Sequence, residues 1–337
     1  MTAAHRPRLG FLGVGWIGRN RMDAIARSGA AQVVAVADVS DDLARGAAAA
    51  IDGAEVVTPA EVLDGAARLD LDGIVIATPS ALHGEQSVEA LANGLAVFCQ
   101  KPLARNAEEC ETVVAAAAAA DRLLGIDLSY RHVRAVERLR ELVVGGEIGD
   151  VYAIDLVFHN AYGPDKAWFT DPKLSGGGCV IDLGIHLVDL ALWTLPDAKV
   201  EGATSRLFAK GAPLPADGSV VEDHAVARLD LSTGATATLA CSWFLHAGVE
   251  ADIRATFHGT GGSLAFANVG GSFYDFRLTM NRGTSSEVLV EPPDDWGGRA
   301  AVAWAERLAS GARFDPTIGA DAVAVARVLD AIYGRPS

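Results

Sequence analysis

The apolar run Leu9–Gly13 leads straight into Gly13-Val14-Gly15-Trp16-Ile17-Gly18, and a helical pattern, Ile17–Ser28, carries on to Gly29. A GxGxxG element constrains a fold only in such a setting: strand, glycine turn, helix, a second strand (Val33–Ala37), and an acidic residue ending that strand. Asp38 stands there, about twenty residues past Gly18. Each position has a physical task. Gly13 allows the tight turn, Gly15 lets backbone approach a pyrophosphate, and Gly18 lets the helix sit close. The pyrophosphate then meets the free N–H groups of the helix N-terminus, with Trp16 and Ile17 supplying its first turn. A carboxylate at Asp38 accepts from ribose hydroxyls and repels a 2′-phosphate; Val39 and Ser40 follow, with no arginine. The element predicts NAD binding, with NADP less favoured.

The same alternation continues to about residue 125. Gly73–Ala77 and Ala96–Cys99 are continuous apolar strands, and Leu123–Leu128 reads as a third. Helical patterns lie between them: Leu43–Ala50 behind Ser40, Ala81–Asn93, and one opened by Asn106 and Glu109 that ends in the alanine run to Ala120. Thr58-Pro59-Ala60-Glu61 reads as a capping box. Buried strands alternating with helices predict a parallel doubly wound sheet. Past Gly149 the period changes. Val151–His159 alternates, and three strand pairs follow: Asp223–Leu231 with Ala235–Phe244, Ala251–His258 with Ser263–Asn268, and Phe273–Asn281 with Glu287–Glu291. Helices are expected at Val180–Leu195, Arg299–Ser310 and Ile318–Tyr333. The reading is an α/β domain over residues 1–125 and an α+β domain with a large, mostly antiparallel sheet over 126–337.

With 337 residues, half of them apolar, the chain can build two cores. A net charge of −15 and no basic run exclude a phosphate-tracking nucleic-acid binder and disfavour an anionic membrane surface. No apolar run of about 18 residues stands out, so no membrane-spanning helix is expected. Cys99, Cys110, Cys179 and Cys241 are scattered and form no CxxC pair, which speaks against a disulfide scaffold or zinc ribbon and for a reducing, cytoplasmic setting. No metal site is expected.

Two regions carry candidate chemistry. Thr78-Pro79, with His83 shortly after, follows the strand Gly73–Ala77, and Gln100-Lys101-Pro102 follows Ala96–Cys99. Ligands of open parallel sheets lie beyond those strand ends. The second region is Gly176-Gly177-Gly178 and the apolar helix after it, in which Asp182, His186 and Asp189 fall on one face at helical spacing. Polar groups among Ile181, Leu183, Ile185, Leu187 and Val188 need partners or a task. Oxidising a hydroxyl by hydride transfer leaves a proton to remove. An imidazole suits that step, so His186 is the expected general base, Asp182 its orienting partner, and Lys101 the donor that stabilises alkoxide charge.

These motifs, in order (GVGWIG, TPSALH, QKP and GGGCVIDLGIHLVDL), resemble the glucose–fructose oxidoreductase / inositol dehydrogenase (Gfo/Idh/MocA) family over nearly the whole chain. The resemblance implies a Rossmann domain, a C-terminal open sheet that often joins subunits into homodimers or homotetramers, and sugar, cyclitol or glycoside substrates. It carries Lys101, Asp182 and His186 over as catalytic residues. It carries Gly13, Gly15, Gly18, Asp38, Thr78, Pro79 and His83 over to the cofactor site. Gln100 stands where the family usually has Glu, and Ser80 where it often has Asn. Tyr130, Arg131, Tyr162 and Trp168 lie in segments that often line the substrate pocket. The acidic balance suits a cationic substrate such as an amino sugar or aminoglycoside. Two alternatives stay open: an NAD-retaining redox-elimination glycosidase, and a non-catalytic dinucleotide sensor.

Overall fold

The computed structural model describes residues 6–65 and 68–335. Two compact units emerge. One comprises residues 1–129 and 297–323, the other 130–296 and 324–337. The expected single division at 125/126 is therefore corrected: the chain returns to the first unit late in its length. The physical reason is Trp304, on the helix Arg299–Ala309, whose ring lies 5.7 Å from Phe98 and is 4% exposed. A Cβ at Gly125 would lie 2.5 Å from that indole and one at Gly73 would lie 3.0 Å from it, so both strands leave room for the ring.

The first unit is built on a six-stranded sheet of β1 (Arg8–Leu12), β2 (Gln32–Ala37), β3 (Glu55–Val56), β4 (Gly73–Ile76), β5 (Ala96–Cys99) and β6 (Leu124–Ile126). The order is β3-β2-β1-β4-β5-β6 and every pairing is parallel. Strand order reverses between β1 and β4, the point where such sheets leave a crevice at their carboxyl ends. β4 and β5 are buried along their whole length, as strands covered on both faces must be. Local chemistry fixes the helix starts. Ser40 accepts from Leu43 N–H, Asn106 from Glu109 N–H, and Thr58 with Glu61 completes the expected capping box.

The second unit is built on nine strands: β7 (Val151–Asn160), β8 (Val200–Ala209), β9 (Ala212–Pro213), β10 (His224–Leu231), β11 (Thr236–Ser242), β12 (Ala251–Gly259), β13 (Gly262–Asn268), β14 (Phe276–Arg282) and β15 (Ser285–Val290). Their order is β15-β14-β13-β12-β7-β11-β10-β8-β9, antiparallel throughout except for the parallel pair β7–β11. Inward residues such as Ile154, Leu156, Phe158, Ile253, Phe257 and Leu278 form the core with the helix Ile185–Thr194, while Tyr152, Asp155 and Arg228 stay outside. The three expected strand pairs form. The helix Arg134–Val144 and the strands β8 and β9 are additions to the sequence reading. The membrane expectation is refined as well. The run Pro172–Thr194 is long and apolar enough by composition to cross a bilayer, and 78% of its apolar window is buried inside the protein.

Candidate functional site

In the first unit the candidate site gathers at the carboxyl ends of β1, β2, β4 and β5. Gly13 takes φ +85°, and a Cβ there would come within 2.5 Å of the Ala77 carbonyl oxygen, so the turn after β1 and the end of β4 meet at van der Waals distance. A Cβ at Gly18 would sit 2.1 Å from the Gly13 carbonyl oxygen. The glycine closes the loop on itself. At Gly15 no atom lies within 4 Å of where a Cβ would stand. The steric demand there belongs to whatever approaches the loop from outside, which is the cradle a pyrophosphate needs. The helix Trp16–Ser28 begins at Gly15 with no side-chain cap and no acidic residue in its first turn. Its first-turn N–H groups and positive dipole end are thus met by no side chain of its own N-cap or first turn. Trp16 is 71% exposed beside them.

Asp38 is fixed from both oxygens: Val14 N–H donates to Oδ2 (2.8 Å) and Ser40 N–H to Oδ1 (2.9 Å). The carboxylate is partly exposed and keeps lone pairs for ribose hydroxyls. These features fit NAD. Thr78 and His83 lie at the junction of the loops that follow β4 and β5. Thr78 Oγ1 donates to Gln86 (2.6 Å). His83 is 1% exposed, with its ring nitrogens 2.7 Å from the carbonyl oxygens of Thr78 and Pro102, and burial lowers its pKa against the pull of those carbonyls. His83 therefore braces the loop after β4 against the loop after β5. Pro79 precedes the helix Ser80–Ala92 and contributes backbone only. Gln100 donates its backbone N–H to Ile76 (2.9 Å), which anchors the partly exposed Lys101 immediately beyond β5.

In the second unit the glycine triplet is read by Glu222, which no local sequence signal marks. This carboxylate is 1% exposed. It accepts from the N–H groups of Gly178 (3.0 Å) and Val180 (2.9 Å) and from the Tyr333 hydroxyl (2.8 Å). Burial raises its pKa despite these donors. A Cβ at Gly178 would lie 1.8 Å from the Glu222 carbonyl oxygen, and one at Gly177 would lie 2.1 Å from the Tyr333 hydroxyl. The helix that follows opens with a wide π turn, Val180–Gly184, before the α-helix Ile185–Thr194. Such turns concentrate at functional positions. Between Val180 and Ala191 every residue is buried except Asp182 and His186. Asp182 Oδ2 accepts from the Trp243 indole N–H (3.1 Å), and His186 lies 4.9 Å from the Tyr130 ring and 6.2 Å from Phe158.

Asp189 leaves the expected trio. It is held by Arg131, with Nη2 to Oδ1 at 2.5 Å and the carboxylate side chain 3% exposed, so it is a buried structural ion pair. Arg131 is thereby accounted for as structure too. Tyr130 is 6% exposed in a ring cluster with Phe158, Phe266, Phe276 and Trp296, and its hydroxyl pKa is raised by burial. It backs His186. Trp168 stacks on Phe169 (3.8 Å), which meets Trp243 edge-on (6.4 Å), so Trp168 reaches the Asp182 region through two rings. Tyr162 is 49% exposed and pairs with Phe273 at 6.1 Å. Among the described residues no group of three or more His, Cys, Asp and Glu is arranged to hold a metal.

Comparison with known proteins adds the following. Residues 8–128 match the family model described as "Oxidoreductase family, NAD-binding Rossmann fold", and residues 136–265 match the GFO/IDH/MocA C-terminal domain. The 1,5-anhydro-D-fructose reductase of Ensifer adhaerens is 30% identical over 269 residues, 78% of this chain and 76% of that protein. A protein of Amycolatopsis mediterranei, provisionally named the oxidoreductase subunit of a UDP-kanosamine synthase, is 32% identical over 276 residues, 74% of this chain and 75% of that one. A 3-ketoreductase of Actinomadura kijaniata, solved with NADP and TDP-benzene, shares the fold at a TM-score of 0.82 and 24% identity, covering 98% of each chain.

Proposed function

Because the chain belongs to the Gfo/Idh/MocA family of NAD-binding sugar and cyclitol oxidoreductases, we propose that it oxidises a ring hydroxyl, or reduces the matching ketone, of an amino sugar or aminoglycoside-type glycoside. One observation carries the catalytic reading: on a helix otherwise sealed in the core, only Asp182 and His186 reach outward along Val180–Ala191. Half-buried polar groups on an otherwise apolar helix are costly unless they meet hydrogen-bond partners there. The amino-sugar assignment draws on the net charge of −15 and on the kanosamine-related name of one relative.

The residues take distinct roles. Gly13, Gly15 and Gly18 shape the loop with Trp16 and Ile17, the helix N-terminus meets the pyrophosphate, and Asp38 holds the adenosine ribose, favouring NAD over NADP. NAD, when bound, supplies the hydride acceptor. His186 takes the hydroxyl proton on its imidazole and returns it in the reverse direction. Asp182, oriented by the Trp243 N–H, favours the protonated ring. Lys101 donates a hydrogen bond to the reacting oxygen as negative charge develops on it. Tyr130, Tyr162 and Trp168 are proposed as the aromatic surroundings of the sugar. The nine-stranded sheet is proposed as the homodimer or homotetramer contact, and four buried free thiols support a reducing cytoplasmic setting.

The test is an absorbance screen for NADH formation against sugars, cyclitols and amino sugars, run beside His186→Ala. Expected is net NADH with an amino sugar, at least ~100-fold lower turnover in the variant, and NADH affinity within ~3-fold of the parent. Unchanged turnover in His186→Ala would remove the general base. Substrate consumption without net NADH would instead mark redox elimination.

A further inference from the structure

A buried polar chain in the first unit links the helix after the glycine loop to the segments that follow β5 and β6. Arg21 sits on the helix that begins at the glycine loop, Gln100 follows β5, and Asp127 follows β6. The Asp127 side chain is fully buried and that of Arg21 is 7% exposed. Arg21 Nε donates to Asp127 Oδ2 at 2.6 Å, and its Nη2 donates to Ser129 Oγ at 2.9 Å. The Ser129 hydroxyl and the Gln100 amide nitrogen both donate to the same carboxylate. Asp127 thus accepts from three side-chain donors, and its one negative charge faces one guanidinium.

The consequence lies at Gln100, itself 6% exposed. An amide can face a carboxylate only with its NH2 end, so the carbonyl oxygen of Gln100 is turned to the opposite side. We propose that Asp127, held by Arg21, is a positioning residue for the nucleotide site: it fixes Gln100 as a hydrogen-bond acceptor beside Lys101, suited to a hydroxyl donor such as a ribose. The role rests on the NAD-dependent reading above. It also explains why an uncharged side chain occupies position 100. A carboxylate there would face Asp127, and two contacting carboxylates sharing one guanidinium cannot both ionise cheaply.

The decisive variants are Gln100→Glu and the exchange Gln100→Glu/Asp127→Asn, which restores one carboxylate and one amide to the pair. NADH affinity is read by fluorescence, and the unfolding midpoint is read without cofactor, both from about pH 5 to about pH 8. In Gln100→Glu one carboxyl has its folded-state pKa raised, so relative stability is present at low pH and lost as pH rises. Expected is NADH binding weakened about tenfold at the upper pH and recovering at the lower. The unfolding midpoint should fall below the parent's only as pH rises. A Gln100→Glu chain that folds only at the lower pH gives the same answer. The exchanged pair should return both readouts to a flat profile within ~3-fold of the parent. Gln100→Glu matching the parent at every pH, or an exchange that restores neither readout, would overturn the proposal. If the parent itself binds no NADH, the functional reading fails, and the cofactor-free midpoints still decide the pairing.

Discussion

Asp38 ties the glycine loop to the end of β2 through Val14 N–H and Ser40 N–H. In the function proposed above, its remaining lone pairs accept from a ribose diol. Asp38→Ala removes charge-assisted hydrogen bonds worth about 1.5–3 kcal/mol each. The expected outcome is NAD affinity about 10–100-fold weaker with NADP affinity changed much less, measured by titrating each nucleotide against Trp16 fluorescence. Equal losses for both nucleotides would mean that Asp38 shapes the loop and does not discriminate between them. At this scale the sequence was informative wherever structure is local: Gly13 and Gly18 make the tight, close-packed turn that their spacing predicts. It was silent on the partners of Glu222 and Trp243 and on the Arg21 and Gln100 contacts of Asp127, all of which lie tens of residues away. It placed Asp189 on the same face as Asp182 and His186, because nothing near that residue announces Arg131, 58 positions earlier.

Among the elements, the helix bearing Asp182 and His186 depends on a residue outside itself. Glu222 satisfies the N–H groups that its own first turn leaves open, a cap delivered from the strand side of the unit. Its carboxyl is raised above the ordinary glutamate range by burial, so the folded state favours the protonated form. The stability this group contributes is therefore full at low pH and declines as pH climbs past that range. Glu222→Gln keeps an acceptor for the same donors and does not titrate. Chemical denaturation at several pH values should show the variant gaining on the parent as pH increases. A constant difference between the two would refute the assignment. The π turn at Val180–Gly184 and the strand β8 were not legible beforehand. A π turn is one residue of slack with no compositional mark, and β8 (VEGATSRLFA) is half-exposed along its length, which blurs its alternation.

For the whole molecule the two-domain architecture could be read from the change of hydrophobic period, but the late return of residues 297–323 to the first unit could not. Amphipathic helices look alike whichever core they seal, and only Trp304 lying on Phe98 reveals the destination. Trp304→Ala is expected to cost about 3–5 kcal/mol, as large-to-small changes at buried aromatics do. Because the lost packing is in the nucleotide-binding unit, saturating NADH should recover part of that loss, about 2.7 kcal/mol at a hundredfold excess over its Kd. Calorimetry with and without NADH checks both numbers, and a Trp304→Ala chain as stable as the parent would show that the indole is dispensable.

The contacts of Tyr333 and Arg335 reach further than their position suggests. Tyr333 touches Glu222 and leaves no room for a side chain at Gly177, while Arg335 donates to the Gly176 carbonyl. These two residues are thus a latch on the segment that leads into the helix carrying Asp182 and His186, the proposed acid–base pair. Trimming the chain back past Tyr333 should silence turnover before it melts either core, so a clipped preparation would look intact by size and still be dead.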